Sequence, residues 1–126
     1  MMNVLVVDDY KSMIRIVRGL LNQLGFMNVD EAADGETALR MIREKPYGLV
    51  LSDWNMEPMS GLELLKKVRA TSGNDNISKV PFIMVTAESK TENVIAAKQA
   101  GVNNYIVKPF NAETLKTKIS SVIGDF

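Results

Sequence analysis

The chain is 126 residues long, 46% hydrophobic and 24% charged, with 15 Lys plus Arg set against 15 Asp plus Glu. That length supports one domain with a full core and is too short for two. Its balanced charge gives no electrostatic reason to expect nucleic acid or a membrane surface as partner. The lack of cysteine excludes a disulfide frame, a thiol nucleophile and a thiolate zinc site, which fits a cytoplasmic location. The lack of histidine excludes a His-based triad, an imidazole metal site and service as a phosphohistidine donor.

No apolar stretch approaches the roughly 18 residues of a membrane span, and no signal-peptide pattern precedes the first element, so no leader is expected. Val4-Leu5-Val6-Val7 reads as a buried strand that runs into Asp8 and Asp9. Met13, Ile14, Val17, Leu20, Leu21 and Leu24 recur at helical spacing, and Gly25 stops that helix. A weaker strand of mixed polarity, about Asn28 to Ala32, suits a sheet edge. Ala38, Leu39 and Ile42 mark a second helix, ended before Pro46, and Leu49-Val50-Leu51-Ser52 is a third strand leading into Asp53. Ser60-Gly61-Leu62-Glu63 has capping-box spacing ahead of Leu62, Leu65 and Val68. Thr71 to Lys79, rich in Gly, Asn, Asp and Ser, reads as a surface loop. Phe82-Ile83-Met84-Val85 is a fourth strand entering Thr86. Ser89-Lys90-Thr91-Glu92 repeats the capping-box pattern before Val94, Ile95 and Ala97. Tyr105-Ile106-Val107 is a fifth strand entering Lys108, and Leu115, Ile119, Val122 and Ile123 line the last helix.

Strand and helix thus alternate five times, which predicts an α/β doubly wound, flavodoxin-like three-layer sandwich: five parallel strands in the order 2-1-3-4-5 and five helices. Residues 1–126 form a single domain in this reading, with no output domain attached. In such a sheet the working residues lie past the carboxyl ends of the strands, around the switch point between strands one and three. Stacking the strands therefore brings Asp8, Asp9, Asp53, the Thr86 hydroxyl and the Lys108 ammonium to one rim. Taken singly, each has an ordinary explanation as a helix cap, a turn or a solvated loop residue. Coincidence at four strand ends argues for a site. Clustered carboxylates resist ionising together unless a cation offsets them, and oxygen-only ligands select a hard ion, so Mg²⁺ is expected on charge grounds.

Asp8-Asp9, Asp53, Thr86-Ala87 and Lys108-Pro109-Phe110 resemble the signature of two-component response regulator receiver domains. Ser52-Asp53-Trp54-Asn55-Met56, Met84-Val85-Thr86-Ala87-Glu88 and Tyr105-Ile106-Val107-Lys108-Pro109-Phe110 resemble the chemotaxis branch of that family, and the similarity extends through Leu24-Gly25-Phe26 and Gly61-Leu62-Glu63-Leu64-Leu65. The resemblance implies that Asp53 is the phosphoacceptor, taking a phosphoryl group from a phosphohistidine on a partner histidine kinase of the chemotaxis (CheA-like) type. It implies that Asp9, Asp53 and the backbone carbonyl of Asn55 hold Mg²⁺, with Asp8 in support through a metal-bound water. Lys108, the Thr86 hydroxyl and the Ala87 N–H would contact phosphoryl oxygens, and Asn55 and Glu88 would tune dephosphorylation. Thr86 and Tyr105 would form the output switch, Tyr105 rotating into room that Thr86 vacates. An ordinary half-buried edge aromatic is the competing reading of Tyr105, and a packing role that of Trp54.

Two departures from the family pattern stand out. In Met56-Glu57-Pro58-Met59-Ser60-Gly61 the proline is displaced by one position and Ser60 stands where Asp is usual. The Gly73 to Lys79 loop is longer than in the enteric form, and Thr91 stands where lysine is common. The resulting expectation is a monomeric, stand-alone regulator, not an enzyme in the ordinary sense, whose phosphorylated form binds the flagellar motor switch. A phosphate sink or phosphorelay shuttle without a motor target is the alternative. A Mg²⁺ phosphatase with an aspartyl nucleophile is disfavoured, because Asn55 occupies the place of its second Asp.

Overall fold

Successive residues of an extended chain point to opposite faces, so an apolar run with no polar break must be covered on both sides. The computed structural model, which describes residues 2–87 and 90–126, shows that arrangement. Strands β1 (Asn3–Val7), β2 (Asn28–Ala32), β3 (Leu49–Asp53), β4 (Phe82–Thr86) and β5 (Asn104–Val107) form one parallel sheet in the order β2-β1-β3-β4-β5. Leu5, Val7, Val50, Phe82 and Met84 face one core layer with Leu64, Leu65 and Val68. Val4, Val6, Leu49, Leu51, Ile83 and Val85 face the other, with Ile14, Val17, Leu21, Leu115 and Ile119. The mixed-polarity second strand occupies an edge, as its pattern predicts.

Among the described residues five helices lie between the strands and a sixth follows the last: α1 (Lys11–Gln23), α2 (Gly35–Glu44), α3 (Gly61–Arg69), α4 (Asp75–Ser78), α5 (Thr91–Gln99) and α6 (Ala112–Ile123). Their ends follow local chemistry. Gly25, at φ +100°, takes the left-handed conformation just past α1, where the Phe26 N–H donates to the Leu21 carbonyl and the Gly25 N–H to that of Asn22. These two bonds satisfy carbonyls the helix leaves open. At the start of α3 the expected capping box is present: the Glu63 N–H donates to Ser60 Oγ at 3.2 Å, and the Ser60 N–H reaches Glu63 Oε1 at 3.5 Å.

One expectation needs correction. The Thr71 to Lys79 stretch is not wholly irregular, since one helical turn, α4, forms within it, giving six helices instead of five. Asn74 starts that turn, its side chain accepting from the Asn76 N–H at 3.0 Å, a local bond that composition alone does not distinguish from an ordinary turn. The helices expected fourth and fifth are therefore α5 and α6. The capping residue expected at Ser89 lies outside the described residues; α5 begins after Lys90, which makes no side-chain cap bond. Among the described residues no helix is long and apolar enough to cross a membrane.

Candidate functional site

The rim residues are held by the sheet's own hydrogen bonding, which continues one step past each strand. The Asp8 N–H donates to the Ala32 carbonyl at 3.1 Å, the Trp54 N–H to Val85 at 3.0 Å and the Lys108 N–H to Thr86 at 2.7 Å. The β1–β3 register carries Asp8 beside Asp53, while Asp53 pairs with Val85 and Thr86 with Val107, so Thr86 and then Lys108 stand successively further along the same rim. Asp8, Asp53 and Thr86 are 3%, 5% and 2% exposed, whereas the adjacent Asp9 is exposed. This difference follows from the strand period, since Asp8 still belongs to the ladder and Asp9 leaves it.

Carboxylate oxygens of Asp8, Asp9 and Asp53 lie within 4.8 Å of one another. Lys108 Nζ bridges two of them, at 3.2 Å from Asp53 Oδ1 and 3.5 Å from Asp8 Oδ2. Three carboxylates facing one ammonium leave an excess of negative charge in a site that is mostly buried. Desolvation by burial raises the Asp8 pKa above its ordinary value, and the neighbouring Asp53 charge adds to the rise. The Tyr10 N–H, donating to Asp8 Oδ1 at 2.9 Å, and Lys108 oppose it. A hard divalent cation with oxygen ligands fits both the donor set and its excess charge.

The raised pKa has a consequence for stability. Below the ordinary carboxyl pKa, Asp8 is protonated whether the chain is folded or not, and it costs nothing. As pH rises towards the folded value the unfolded chain releases its proton first, so the folded state loses stability; above that value the full cost persists. In metal-free buffer Asp8→Asn keeps an acceptor for the Tyr10 N–H and should therefore raise the melting temperature at pH 7. The gain should fade as pH falls towards 3.8. Thermal melts of both chains across that pH range check this, and an equal or lower melting temperature for the variant at pH 7 would refute it.

Beside the carboxylates a cavity of about 440 Å³ opens to solvent, lined by Asp9, Tyr10, Trp54, Asn55, Met56, Glu57 and Ser60. Of the residues expected at the site, Asp8, Asp9, Asp53 and Lys108 thus converge, and Asn55 borders the same space. Thr86 and Ala87 stand at the carboxyl end of β4, Thr86 buried and Ala87 exposed. Glu88 lies outside the described residues. Tyr105 is half-buried, and its ring meets that of Trp54 edge-to-face at 6.3 Å between centroids. The residue after Asp53 thereby touches the aromatic expected to switch. Glu57 and Tyr10 were not among the expected site residues. The displaced proline was the one sequence signal for Glu57, and a residue directly after the Asp pair the signal for Tyr10.

Gly61 is a further residue whose importance shows only in three dimensions. A Cβ there would lie 2.2 Å from the Asp53 carbonyl oxygen and 2.9 Å from Met84 Sδ. The Gly61 N–H also donates to the Trp54 carbonyl at 2.9 Å. The first turn of α3 is thus pressed against the end of β3, and only glycine permits the approach.

Comparison with known proteins agrees with this geometry. The response regulator receiver domain family matches residues 4–120. Chemotaxis protein CheY-3 of Vibrio cholerae is 50% identical over 121 residues, which cover 96% of this chain and 91% of that protein. Chemotaxis protein CheY of Pseudomonas aeruginosa is 47% identical over 121 residues, covering 96% and 95% of the two chains. Among solved structures, Vibrio cholerae CheY4 superposes with a TM-score of 0.88 at 36% identity, covering 97% of this chain and 98% of that one. The receiver domain of sensor histidine kinase PA1611 from Pseudomonas aeruginosa, whose active-site cleft coordinates a magnesium ion, gives 0.86 at 28% identity, covering 98% of each chain. With an acidic rim at the β1–β3 switch point, a lysine bridging it and a family match spanning nearly its whole length, this chain belongs to the response regulator receiver domain family, in its chemotaxis CheY-like branch.

Proposed function

We propose that this protein is a single-domain response regulator that accepts a phosphoryl group on Asp53 from a histidine kinase and, so modified, binds the flagellar motor switch. The observation that carries the reading is Lys108 Nζ poised between Asp53 and Asp8, within a cluster of three carboxylates. Asp53 attacks phosphorus in line: a bond forms from its carboxylate oxygen as the P–N bond to the donor imidazole breaks and the nitrogen leaves with the electron pair. Lys108, the Thr86 hydroxyl and the Ala87 N–H meet the charge that spreads over the phosphoryl oxygens, and fixed donors of this kind supply most of what phosphoryl transfer requires. Asp9, Asp53 and the Asn55 carbonyl would hold Mg²⁺, with Asp8 in support; when bound, the ion neutralises charge that would otherwise repel the incoming phosphate. Asn55 and Glu88 set how fast water reverses the modification.

Output follows from the new charge at Asp53. Thr86 turns towards it, and Tyr105, already in contact with Trp54, moves inward. Ile95 on α5 and Val107 on β5 are 49% and 40% exposed, leaving apolar surface on the side a partner would meet. The chemotaxis relatives favour a motor target over a phosphate sink or relay shuttle. We place the protein in the cytoplasm as a monomer that catalyses only its own phosphorylation and dephosphorylation. A pull-down with the motor-switch protein, with and without beryllofluoride as phosphoryl mimic, tests the assignment. Retention should rise at least about tenfold with beryllofluoride, a shift of roughly 1.4 kcal/mol in binding. Equal retention in both arms would count against it.

A further inference from the structure

The loop that follows the phosphoacceptor is pinned at two points. Met56 and Met59 are 5% and 8% exposed and belong to the same core layer, whereas Asn55, Glu57 and Pro58 between and beside them are exposed. Anchoring on both sides leaves Glu57 little freedom to leave the wall of the 440 Å³ cavity, where it stands with Asp9, Asn55 and Trp54. Among the described residues that wall contains two carboxylates and no Lys or Arg. Lys108 is engaged deeper in the site by Asp8 and Asp53. A metal ion would offset the three clustered aspartates, but Glu57 is not among them and adds a negative charge to the open cavity beside them.

We propose that Glu57 is a specificity-determining residue of the phosphoryl-transfer site, disfavouring small dianionic phosphodonors relative to less charged ones from its place on the entrance cavity. The inference rests on the functional reading above and names the charge class of donor that the site prefers. Glu57 holds no metal and takes no part in bond making. Its influence is a through-space repulsion, strongest in low salt. A phosphohistidine presented by a protein brings its own surroundings to this wall, including cations, whereas free acetyl phosphate meets the wall alone. Glu57 thereby biases phosphorylation towards the kinase and away from small metabolic phosphates.

The test compares acetyl phosphate, a dianion at neutral pH, with phosphoramidate, which carries one net negative charge fewer. With acetyl phosphate the P–O bond breaks and acetate leaves with the electron pair. With phosphoramidate the P–N bond breaks and the protonated nitrogen leaves as ammonia. Initial rates of Asp53 phosphorylation are read for the natural chain, Glu57→Gln and Glu57→Lys, each at a Mg²⁺ concentration shown by titration to saturate it. A unit charge within one screening length changes the approach of another by roughly twofold in a water-like dielectric. The ratio of acetyl phosphate to phosphoramidate rates should therefore rise about twofold in Glu57→Gln and about fourfold in Glu57→Lys at ~20 mM salt, and both gains should collapse towards unity at ~500 mM. An unchanged ratio in both variants would overturn the inference, as would a change of equal size at both salt concentrations, which would mark a steric effect. Failure of the natural chain to be phosphorylated by either donor would instead overturn the functional reading and this inference with it, an outcome distinct from the other two.

Discussion

Replacing Asp53 with Asn should abolish incorporation of acid-labile, base-labile phosphate from acetyl phosphate, to below about one part in a thousand of the natural rate. The geometry leaves no substitute. Asp8 is the other buried carboxylate of the cluster, but one of its oxygens accepts from the Tyr10 N–H and the other faces Lys108. Asp9, though near enough to share a cation, is exposed and lies outside the ladder, in which Asp53 pairs with Val85, the residue before Thr86. The amide keeps the shape of Asp53 and can still meet Lys108, so the fold should survive, as near-natural melting would show. What it loses is the anionic nucleophile, and no positioning effect compensates for a missing reacting group. Labelling followed by intact-mass analysis reads the result. Phosphate retained in the variant on Asp8 or Asp9 would refute the assignment of Asp53.

The second large effect comes from a residue that carries no chemistry. Gly61→Ala should lower stability by about 2 to 3 kcal/mol, a fall in melting temperature of roughly 10 °C. Alanine would ordinarily improve a helix by up to about 1 kcal/mol over glycine. At position 61 the new methyl meets the Asp53 carbonyl oxygen at 2.2 Å, and backbone cannot give way as a flexible side chain can. Helix α3 must then retreat from β3, weakening the Gly61–Trp54 hydrogen bond and shifting Asp53 itself. Gly19 provides an internal control. It lies within α1 with nothing inside 4 Å of a built Cβ, so Gly19→Ala should stabilise by roughly 0.5 to 1 kcal/mol. Thermal or denaturant unfolding of the two variants should thus show shifts of opposite sign. A Gly61→Ala chain as stable as the natural one would show that the close approach is dispensable.

Much of this molecule is written locally. Uninterrupted Val, Ile and Leu runs specify strands buried on both faces, helical spacing in Ile14, Val17 and Leu21 specifies a helix that covers them, and Gly25 and Ser60 mark ends through bonds made within a few residues. Because crossovers between parallel strands are short and of one hand, the strand order follows from the pattern, and with it the meeting of Asp8, Asp9, Asp53 and Lys108. The single turn of α4 was hidden because its composition is that of a loop. Its helical hydrogen bonds rest on a side-chain cap at Asn74, worth too little to be read from residue types alone.

Strand identity, sheet order and the acidic rim were determined by the sequence itself, since each depends on periodicity or on residue type at a strand end. Tertiary structure alone decided that Asp8 is buried while Asp9 is open, that Lys108 stands closer to Asp53 than to Asp8, that Gly61 must lack a side chain, and that Glu57 lines the cavity beside the carboxylates. These are matters of distances between segments remote along the chain. A separation of an ångström or two decides the sign of a steric or electrostatic effect, and no local pattern encodes it.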